Sequence, residues 1–403
     1  MRFVPTGVPS LIAVGLLTVG MAACGNSTGS SGNPSSQSGP IVIGGAIAQT
    51  GILQPYDVPA WTAFKMEVAD VNAHGGINGR QIQLITGDTA SEIANGATVA
   101  KSLLDKGAQI MVVTCDFDFG SPAAQVAQNA GKISMSLCAQ SPKFGAQGIG
   151  DKAYTVSESV LTEGVVVGTF AAKQKSVKNA FLLVDDTLQY DRGLCDGFNK
   201  GFTSAGGKIA GEVHWKGGDA SIQGEITKLS SSGADSVMLC SFPPAGASAL
   251  RQLRSAGVSL PIFSGGGMDG TYWVKAIPDI SNFFITTQVS VFGNDANSAV
   301  NAFVTRFTKE TGAPPATAYA AVGFSAAQAL VVALTQTGGN PAGDAMKAKM
   351  DSFKGQELLV GPTTFSPEIH IPVDRPMAVL EYQNGVPKFV ATQAPGVKVG
   401  LIL

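Results

Sequence analysis

Few side chains in this 403-residue sequence have the types and spacing that catalysis requires. The three histidines, His74, His214 and His370, are far apart, and the sequence contains neither an H-E-x-x-H nor a G-x-S-x-G motif. No cysteine and histidine have the paired spacing of a metal site. We therefore expect no catalytic residue, no metal and no cofactor. An extracytoplasmic enzyme is the rival interpretation, which this inventory disfavours.

A glycine-rich segment offers a second kind of chemistry. Residues 265–270, GGGMDG, formally satisfy the dinucleotide motif G-x-G-x-x-G after an apolar strand. A dinucleotide site also needs a long helix behind the loop and an acidic residue about 20 positions further on. Here the following segment, 271–276, is short and Pro278 ends it. We interpret these glycines as room for a ligand and a hinge.

Cys24 follows a segment that is typical of an export signal. Arg2 provides a positive charge, residues 11–20 are apolar, and Ala22 and Ala23 are the small residues that precede a cleavage site. The apolar run is shorter than the roughly 20 residues that span a bilayer. The position of Cys24 resembles a bacterial lipobox, which predicts a lipid-anchored extracytoplasmic protein. An ordinary signal peptide with a chance cysteine is the alternative.

The other four cysteines are an even number, which in an exported protein is compatible with two disulfides. Cys115 and Cys138 end neighbouring strands of one predicted β–α–β unit, and adjacent strands lie about 4.8 Å apart. We expect these two to form a disulfide, which leaves Cys195 to pair with Cys240 by elimination.

Composition and charge narrow the class of partner. Only 14% of the residues are charged and the formal net charge is −2, so we expect no nucleic-acid partner.

Beyond Cys24, residues up to 39 are small or polar and uncharged, as in a flexible tether. The remainder is long enough for two domains. We expect a monomer.

Strand-like and helix-length segments alternate along the remainder of the chain. In the first helix, Trp61, Phe64, Val68 and Val71 recur at i, i+3, i+7 and i+10, and Asp57 is its expected cap. Strands are predicted at 41–48, 81–86, 108–114, 133–137, 179–184, 208–214, 236–240 and 261–263, and further helices at 92–106, 122–130, 160–174, 192–205, 222–232 and 245–256. This alternation predicts an α/β fold with two doubly wound parallel-sheet lobes.

The C-terminal part does not continue the alternation. Helices are predicted at 296–311 and 317–337, and a hairpin around Asn384-Gly385 joins strands 377–382 and 388–391. These elements are too few for a third domain, so we expect them to complete the two lobes through a multi-crossover hinge. The predicted division is a signal peptide (1–23), a tether (24–39), lobe 1 (40–157 plus 288–360) and lobe 2 (158–287 plus 361–403).

Several segments resemble the type I periplasmic binding proteins of the branched-chain amino acid class. They are residues 41–44 (IVIG), 49–51 (QTG), 70–80 (DVNAHGGINGR), 87–88 (GD), 189–193 (QYDRG), 318–322 (AYAAV) and 360–362 (VGP). The resemblance implies that a small-molecule ligand is captured between the lobes and delivered to the permease of an ABC importer. The same fold also serves as a ligand-sensing receptor subunit, which is the alternative function.

The resemblance also assigns ligand contacts. Its aromatic contacts fall on Tyr56, Tyr190 and Phe242, and the backbone that helps to hold a ligand carboxylate falls on Ala139 and Gln140. Parallel sheets bind ligands beyond the carboxyl ends of their strands, where these residues are expected. Burial of Phe242 inside its lobe is the alternative for that residue.

Two polar contacts of the family are absent. Phe117 stands where a serine usually binds the carboxylate, although it too could be buried in its lobe, and Gly266 stands where a glutamate usually pairs with the ammonium. Asp269, Asp116 or Asp118 could substitute, although the last two could equally be solvated or capping carboxylates. We expect an aromatic or hydrophobic ligand in place of a free branched-chain amino acid. An amino acid held by rearranged contacts is the alternative.

Overall fold

The protein is described by a computed structural model that covers residues 39–400. The expected signal peptide, the lipidation site Cys24 and most of the tether lie outside the described residues. The helices are α1 (Gln54–Ala73), α2 (Ile93–Asp105), α3 (Phe117–Asn129), α4 (Val160–Lys173), α5 (Gln189–Ser204), α6 (Gln223–Ser231), α7 (Ala245–Ser255), α8 (Ser298–Thr311), α9 (Tyr319–Gln336) and α10 (Gly343–Met350).

The strands form two principal sheets and one small ribbon. They are β1 (Ile41–Ile47), β2 (Ile82–Asp88), β3 (Ile110–Val113), β4 (Ser134–Ser136), β5 (Ala153–Thr155), β6 (Asn179–Asp185), β7 (Lys208–Trp215), β8 (Ser236–Cys240), β9 (Ile262–Ser264), β10 (Phe283–Thr287), β11 (Gln356–Leu358), β12 (Gly361–Thr363), β13 (Met377–Gln383) and β14 (Val386–Gln393). The first sheet has the order β2-β1-β3-β4-β5 and is parallel throughout. The second has the order β14-β13-β10-β9-β8-β6-β7.

The second sheet is parallel except at one edge, where β13 and β14 join β10 as an antiparallel hairpin. Asn384 and Gly385 connect the two strands with φ angles of 50° and 76°, the left-handed conformation that a two-residue hairpin loop requires. Two doubly wound sheets built from strand–helix units confirm the predicted fold class, and the Asn-Gly sequence explains the hairpin.

Each sheet is covered by helices on both faces, as its continuous apolar strands require. In β8, Val237 and Leu239 pack into one core and Met238 and Cys240 into another, because successive side chains point to opposite faces. The first sheet separates its two cores in the same way. Helix α9 is long and apolar enough to cross a membrane, but most of it is buried in the core of the first lobe, and buried core helices often have this composition.

Three of the four cysteines lie at carboxyl ends of strands, and Cys195 lies in α5. Cys115 is bonded to Cys138 in the first lobe and Cys195 to Cys240 in the second, with Cα atoms 4.6 Å and 5.8 Å apart. These are the two pairings that strand order and elimination predict.

Asp57 does not cap α1, contrary to the prediction, because the helix begins earlier and Leu53 occupies the N-cap. The Asp57 side chain is fully buried and its carboxylate accepts hydrogen bonds from the backbone N–H groups of Ala48 (2.6 Å) and Cys115 (2.7 Å) and from the Thr114 hydroxyl. It therefore ties α1 to the ends of β1 and β3.

Helices α4 and α5 pack backbone against backbone through glycines. A Cβ atom on Gly164 would lie under 3.0 Å from backbone atoms of Leu194 and Phe198, and one on Gly197 would meet the Leu161 carbonyl equally closely. Only small residues allow two helices to approach each other so closely. The contact fixes α4, which carries Glu163, against α5, which begins next to Tyr190.

The chain crosses between the lobes three times, and a buried polar cluster joins the three crossovers. The Arg375 guanidinium donates to the Gln288 side-chain oxygen (2.9 Å) and to the Val156 carbonyl (3.0 Å). The backbone N–H of Glu158 donates to the same Gln288 oxygen (3.0 Å), and the Glu158 carboxylate accepts the backbone N–H of Arg375 (3.2 Å). Val156 and Glu158 come from the first crossover, Gln288 from the second and Arg375 from the third.

We propose that the lobes are delimited by these crossovers. The first lies between β5 and α4, the second between β10 and α8, and the third between β12 and β13. Leu358, Val360 and Phe365 pack in the core of the first lobe, which places the third limit after Phe365, later than the expected residue 360.

Candidate ligand-binding site

A cavity lies between the two lobes. Its walls contain four aromatic rings, two leucines and one disulfide. The lining residues are Leu53, Tyr56, Cys115, Asp116, Cys138, Gln140, Ser141, Leu188, Tyr190, Phe242, Gly267 and Tyr319. All of them except Tyr319, which begins α9 after another helix, follow the carboxyl ends of strands or begin the next helix, the place where parallel sheets bind ligands.

Two tyrosines, Tyr56 and Tyr272, join the lobes beside the cavity. The Tyr56 hydroxyl of the first lobe donates to the Gly267 carbonyl of the second (2.8 Å) and accepts a hydrogen bond from the Tyr272 hydroxyl (2.9 Å). The Gly267 N–H donates to the Tyr190 hydroxyl (2.8 Å). The ring of Tyr56 packs edge-on against Tyr319, with centroids 5.5 Å apart. The lobes are thus closed on each other in this structure.

Glu163 lies behind the cavity wall and is fully buried. Its carboxylate accepts hydrogen bonds from the Gln140 side-chain amide, the Gly266 N–H and the Tyr190 hydroxyl, the last at 3.2 Å. Burial raises the pKa of Glu163 to about 7, although the three donors oppose that rise. Because its partners come from both lobes, Glu163 is a link between them.

The glycine-rich segment makes this link possible. Cβ atoms on Gly265 and Gly267 would collide with Tyr190, and the one on Gly265 also with the Glu163 carboxylate. In the structure, residues Gly266–Met268 form one short 3-10 turn instead of a long helix. The glycines allow close approach of the Tyr190 and Glu163 side chains to the backbone, and their role as room for a ligand and as a hinge stays a prediction.

Asp116 projects from the first lobe into the cavity lining. Its backbone has a φ of 76°, and its carboxylate accepts the N–H groups of Asp118 (2.8 Å) and Phe119 (3.3 Å) as the N-cap of α3. Burial, followed by the nearby Asp118 charge, raises the pKa of Asp116 to about 7. Asp118 itself accepts the N–H of Gln189 (2.9 Å) at the start of α5, which is a further contact between the lobes.

Four of the eight predicted ligand contacts line the cavity: Tyr56, Gln140, Tyr190 and Phe242. Phe117 instead packs against the core under α2 and α3. Ala139 is fully buried, and its N–H donates to the Ser136 hydroxyl (2.9 Å), so that this backbone group is already occupied.

Gly266 and Asp269 also lie outside the lining. The N–H of Gly266 is taken by Glu163. Asp269 is fully buried and accepts hydrogen bonds from the Gly270 N–H (2.7 Å), the Ala318 N–H (2.6 Å) and the Thr287 hydroxyl (3.3 Å). Asp269 therefore holds the start of α9 to the second lobe and has no free oxygen directed at a ligand ammonium.

Sequence reasoning did not identify Glu163 or Tyr319. The Tyr319 hydroxyl donates to the Gln140 side-chain oxygen (3.0 Å), a contact between residues 179 positions apart. A signal for Glu163 does exist, since it is the one charged residue between Val160 and Ala172 in an otherwise apolar or small helical segment. An acidic residue in such a segment is rarely buried without a specific partner.

The charge of the site is negative. Among residues 39–400, no lysine, arginine or histidine lines this cavity, whereas Asp116 does. No group of three or more metal-ligating side chains occurs within that described range. The arrangement can enclose a small apolar molecule, and it offers hydrogen bonds from hydroxyl and amide groups but no compensating positive charge.

The buried acids predict a stability that falls as pH rises. Burial raises the pKa values of the fully buried Asp57, Glu158 and Glu163 and of the half-buried Asp116 to about 7 from ordinary values near 4. The folded state therefore binds more protons than the unfolded state between pH 4.5 and 7, and the free energy of unfolding decreases across that interval. One fully realised shift of this size corresponds to roughly 4 kcal/mol.

Denaturant unfolding at pH 5 and pH 8 measures this effect, and we expect the larger free energy of unfolding at pH 5. The Glu163→Gln variant, which cannot titrate at that position, should show a smaller difference between the two pH values. Equal stability at both pH values, or greater stability at pH 8, would contradict the expectation.

Comparison with known proteins assigns the chain to a family. A family model described as periplasmic binding protein matches residues 40–386. A protein named amino acid binding protein from Pseudomonas aeruginosa is 28% identical over 232 residues, which is 57% of this chain and 61% of that protein's length. Leu/Ile/Val-binding protein homolog 1 from Brucella melitensis is 26% identical over 313 residues, 76% of this chain and 81% of the relative.

Solved structures share the two-lobe fold. The branched-chain amino acid substrate-binding protein LivJ from Streptococcus pneumoniae, in complex with isoleucine, superposes with a TM-score of 0.78 at 22% identity, covering 89% of this chain and all of that one. A solute-binding protein from R. palustris in complex with benzoate gives a TM-score of 0.76 at 20% identity, covering 90% and 99%. The chain belongs to the periplasmic binding protein family.

Proposed function

We propose that this protein captures a small aromatic or hydrophobic molecule between its lobes outside the cytoplasm and delivers it to the permease of an ABC importer. The observation that carries the proposal is the composition of the cavity wall, in which Tyr56, Tyr190, Phe242 and Tyr319 surround the space together with two leucines. Aromatic side chains supply a large apolar contact area and a few polar atoms that orient a ligand. The family's function in binding small molecules for transport supports the rest.

The contacts that a free branched-chain amino acid needs are already occupied. The Glu163 and Asp269 carboxylates accept hydrogen bonds from protein donors, and the Ala139 N–H is bound to Ser136. No positive side chain within residues 39–400 lines the cavity to neutralise a ligand carboxylate. A buried charge without a partner costs several kcal/mol, so leucine, isoleucine and valine are poorly matched to this site.

One observation favours a second candidate. Asp116 reaches the cavity and could pair with an ammonium, so an amino acid bound through rearranged contacts is the alternative ligand. In favour of an aromatic ligand, the R. palustris protein with benzoate shows that this fold can enclose an aromatic acid. A receptor subunit that senses the ligand for a separate membrane partner is the alternative use of the same cavity.

Mass spectrometry of the protein purified under native conditions tests the ligand class. We expect a bound molecule that carries an aromatic or extended apolar group and that is released when the protein is unfolded. Recovery of leucine, isoleucine or valine in stoichiometric amount would contradict the proposal. A ligand present at 100 times its Kd should stabilise the fold by about 2.7 kcal/mol, so thermal shift can confirm each candidate.

We further propose that Cys24 carries a lipid anchor and that the following residues tether the two lobes to the membrane surface. The motivating observation is the small-residue cleavage context followed by an uncharged segment. In the native host, Cys24→Ala should move the protein from the membrane fraction to the soluble fraction. A variant that stays in the membrane fraction would show that the apolar segment anchors the chain by itself.

A further inference from the structure

We infer that the ligand carries a protonated nitrogen, which Asp116 and the aromatic wall of the cavity recognise together. This inference rests on the proposed function and names its substrate class: an aromatic or apolar amine in place of an aromatic acid. Asp116 is thereby assigned as the residue that determines specificity.

The first observation is the position of Asp116. Its carboxylate accepts hydrogen bonds from backbone N–H groups at the start of α3. Among residues 39–400 it forms no ion pair with any lysine, arginine or histidine. The residue nevertheless lines the cavity. An acidic side chain that faces an apolar cavity without a protein cation can be compensated by a cation on the ligand.

The backbone at Asp116 holds the carboxylate in place. A non-glycine residue with a φ of 76° is uncommon, and aspartate is one of the few that tolerate that conformation. Cys115, the preceding residue, is fixed by the disulfide to Cys138 and by its N–H bond to buried Asp57. The carboxylate is therefore pre-positioned, so that binding a ligand costs little ordering of this side chain.

The second observation is the aromatic wall around the same space. Tyr56, Tyr190, Phe242 and Tyr319 line the cavity, and Tyr56 meets Tyr319 edge-on. The negative face of an aromatic ring attracts a cation within about 6 Å, and the attraction is stronger when the contact is desolvated. An amine that reaches Asp116 would therefore be favoured by the rings as well as by the carboxylate.

The ionisable groups around Asp116 are also acidic. Asp118 lies close enough to Asp116 to raise its pKa, and Asp116 in turn raises the pKa values of buried Asp191 and Tyr319. An anionic ligand would add to this repulsion, whereas a cationic one would relieve it. Electrostatics thus separates amines from acids of the same shape.

Calorimetric titration at pH 8 with three probes of similar size tests the inference: 2-phenylethylamine, 2-phenylethanol and phenylacetate. We expect wild-type protein to bind the amine at least tenfold more tightly than the alcohol or the acid. Asp116→Asn, which keeps a capping oxygen and tolerates the positive φ, should lower the affinity for the amine about tenfold and so abolish its preference over the alcohol. Asp105→Asn, at an exposed site on α2, is the matched control and should change nothing.

Asp116→Gly removes the acid at a φ that glycine adopts freely, and it should behave as Asp116→Asn does. The inference is overturned if phenylacetate binds as tightly as the amine, if no probe binds, or if both Asp116 variants keep the full preference for the amine. Tight binding of phenylacetate or the alcohol would leave the proposed function intact. Tighter binding of leucine, isoleucine or valine than of all three probes would instead refute the proposed function.

Discussion

Gly197→Ala is expected to lower the free energy of unfolding by about 3 kcal/mol. A Cβ atom at this position would lie under 3.0 Å from the Leu161 carbonyl oxygen, and backbone atoms of α4 cannot move aside as a flexible side chain can. The two helices must therefore separate, which opens the core between them. Overpacking of this kind typically lowers the free energy of unfolding by about 1–3 kcal/mol. The same separation would draw Glu163 away from Tyr190 and Gly266, so ligand affinity should also fall.

Gly224→Ala in α6 is the matched control. No atom lies within 4 Å of a Cβ atom at Gly224, so alanine there should be neutral or slightly stabilising because it favours a helix. Denaturant unfolding of both variants measures the difference. A Gly197→Ala variant as stable as Gly224→Ala would show that α4 and α5 are not in backbone contact.

Arg375→Met is expected to destabilise the protein by about 3–5 kcal/mol, the range seen when one partner of a buried ion pair is removed. Arg375 is almost fully buried and donates to Gln288 and to the Val156 carbonyl. Its Nε lies 3.9 Å from the Glu158 carboxylate, whose other oxygen has no hydrogen-bond partner. Methionine fills a similar volume but leaves Glu158 buried without a positive partner.

Two further variants separate charge from packing. Arg251→Met removes an exposed arginine from α7 and should change stability by less than about 0.5 kcal/mol. Glu158→Gln combined with Arg375→Met should recover part of the loss, because a neutral amide is cheaper to bury than an unpaired carboxylate. A loss below about 1 kcal/mol for Arg375→Met would show that the cluster does not hold the three crossovers together.

The regular part of the fold could be predicted because its signals are local. The strand Ser236–Cys240 is predicted to the residue, and Ala245–Ser255 differs from the predicted helix only at its end, since apolar runs and glycine turns mark both. No strand is predicted at Phe283–Thr287, although all five residues are buried. That strand lies between β9 and β13, which are far apart from each other in sequence. The residues next to it in the chain therefore do not reveal that it is enclosed in the sheet.

The site could be predicted only in part, for a similar reason. The resemblance assigns Tyr56, Tyr190 and Phe242, and these residues follow strand ends or begin helices, where parallel sheets bind ligands. The connection from Tyr319 through Gln140 to Glu163 depends on how α9, the loop after β4 and α4 meet in space. Likewise, Asp269 appears available in the sequence, and only the fold shows that it is already bound to the start of α9.

The claim that the cavity favours an aromatic or hydrophobic ligand over a free branched-chain amino acid is tested most directly by isothermal titration calorimetry. Wild-type protein, unfolded and refolded to remove any copurified molecule, would be titrated with L-leucine, L-isoleucine, L-valine and a panel of aromatic amines, alcohols and acids. We predict that at least one aromatic compound binds more than tenfold more tightly than any of the three amino acids. Micromolar or tighter binding of leucine, isoleucine or valine, with every aromatic compound weaker, would contradict the account.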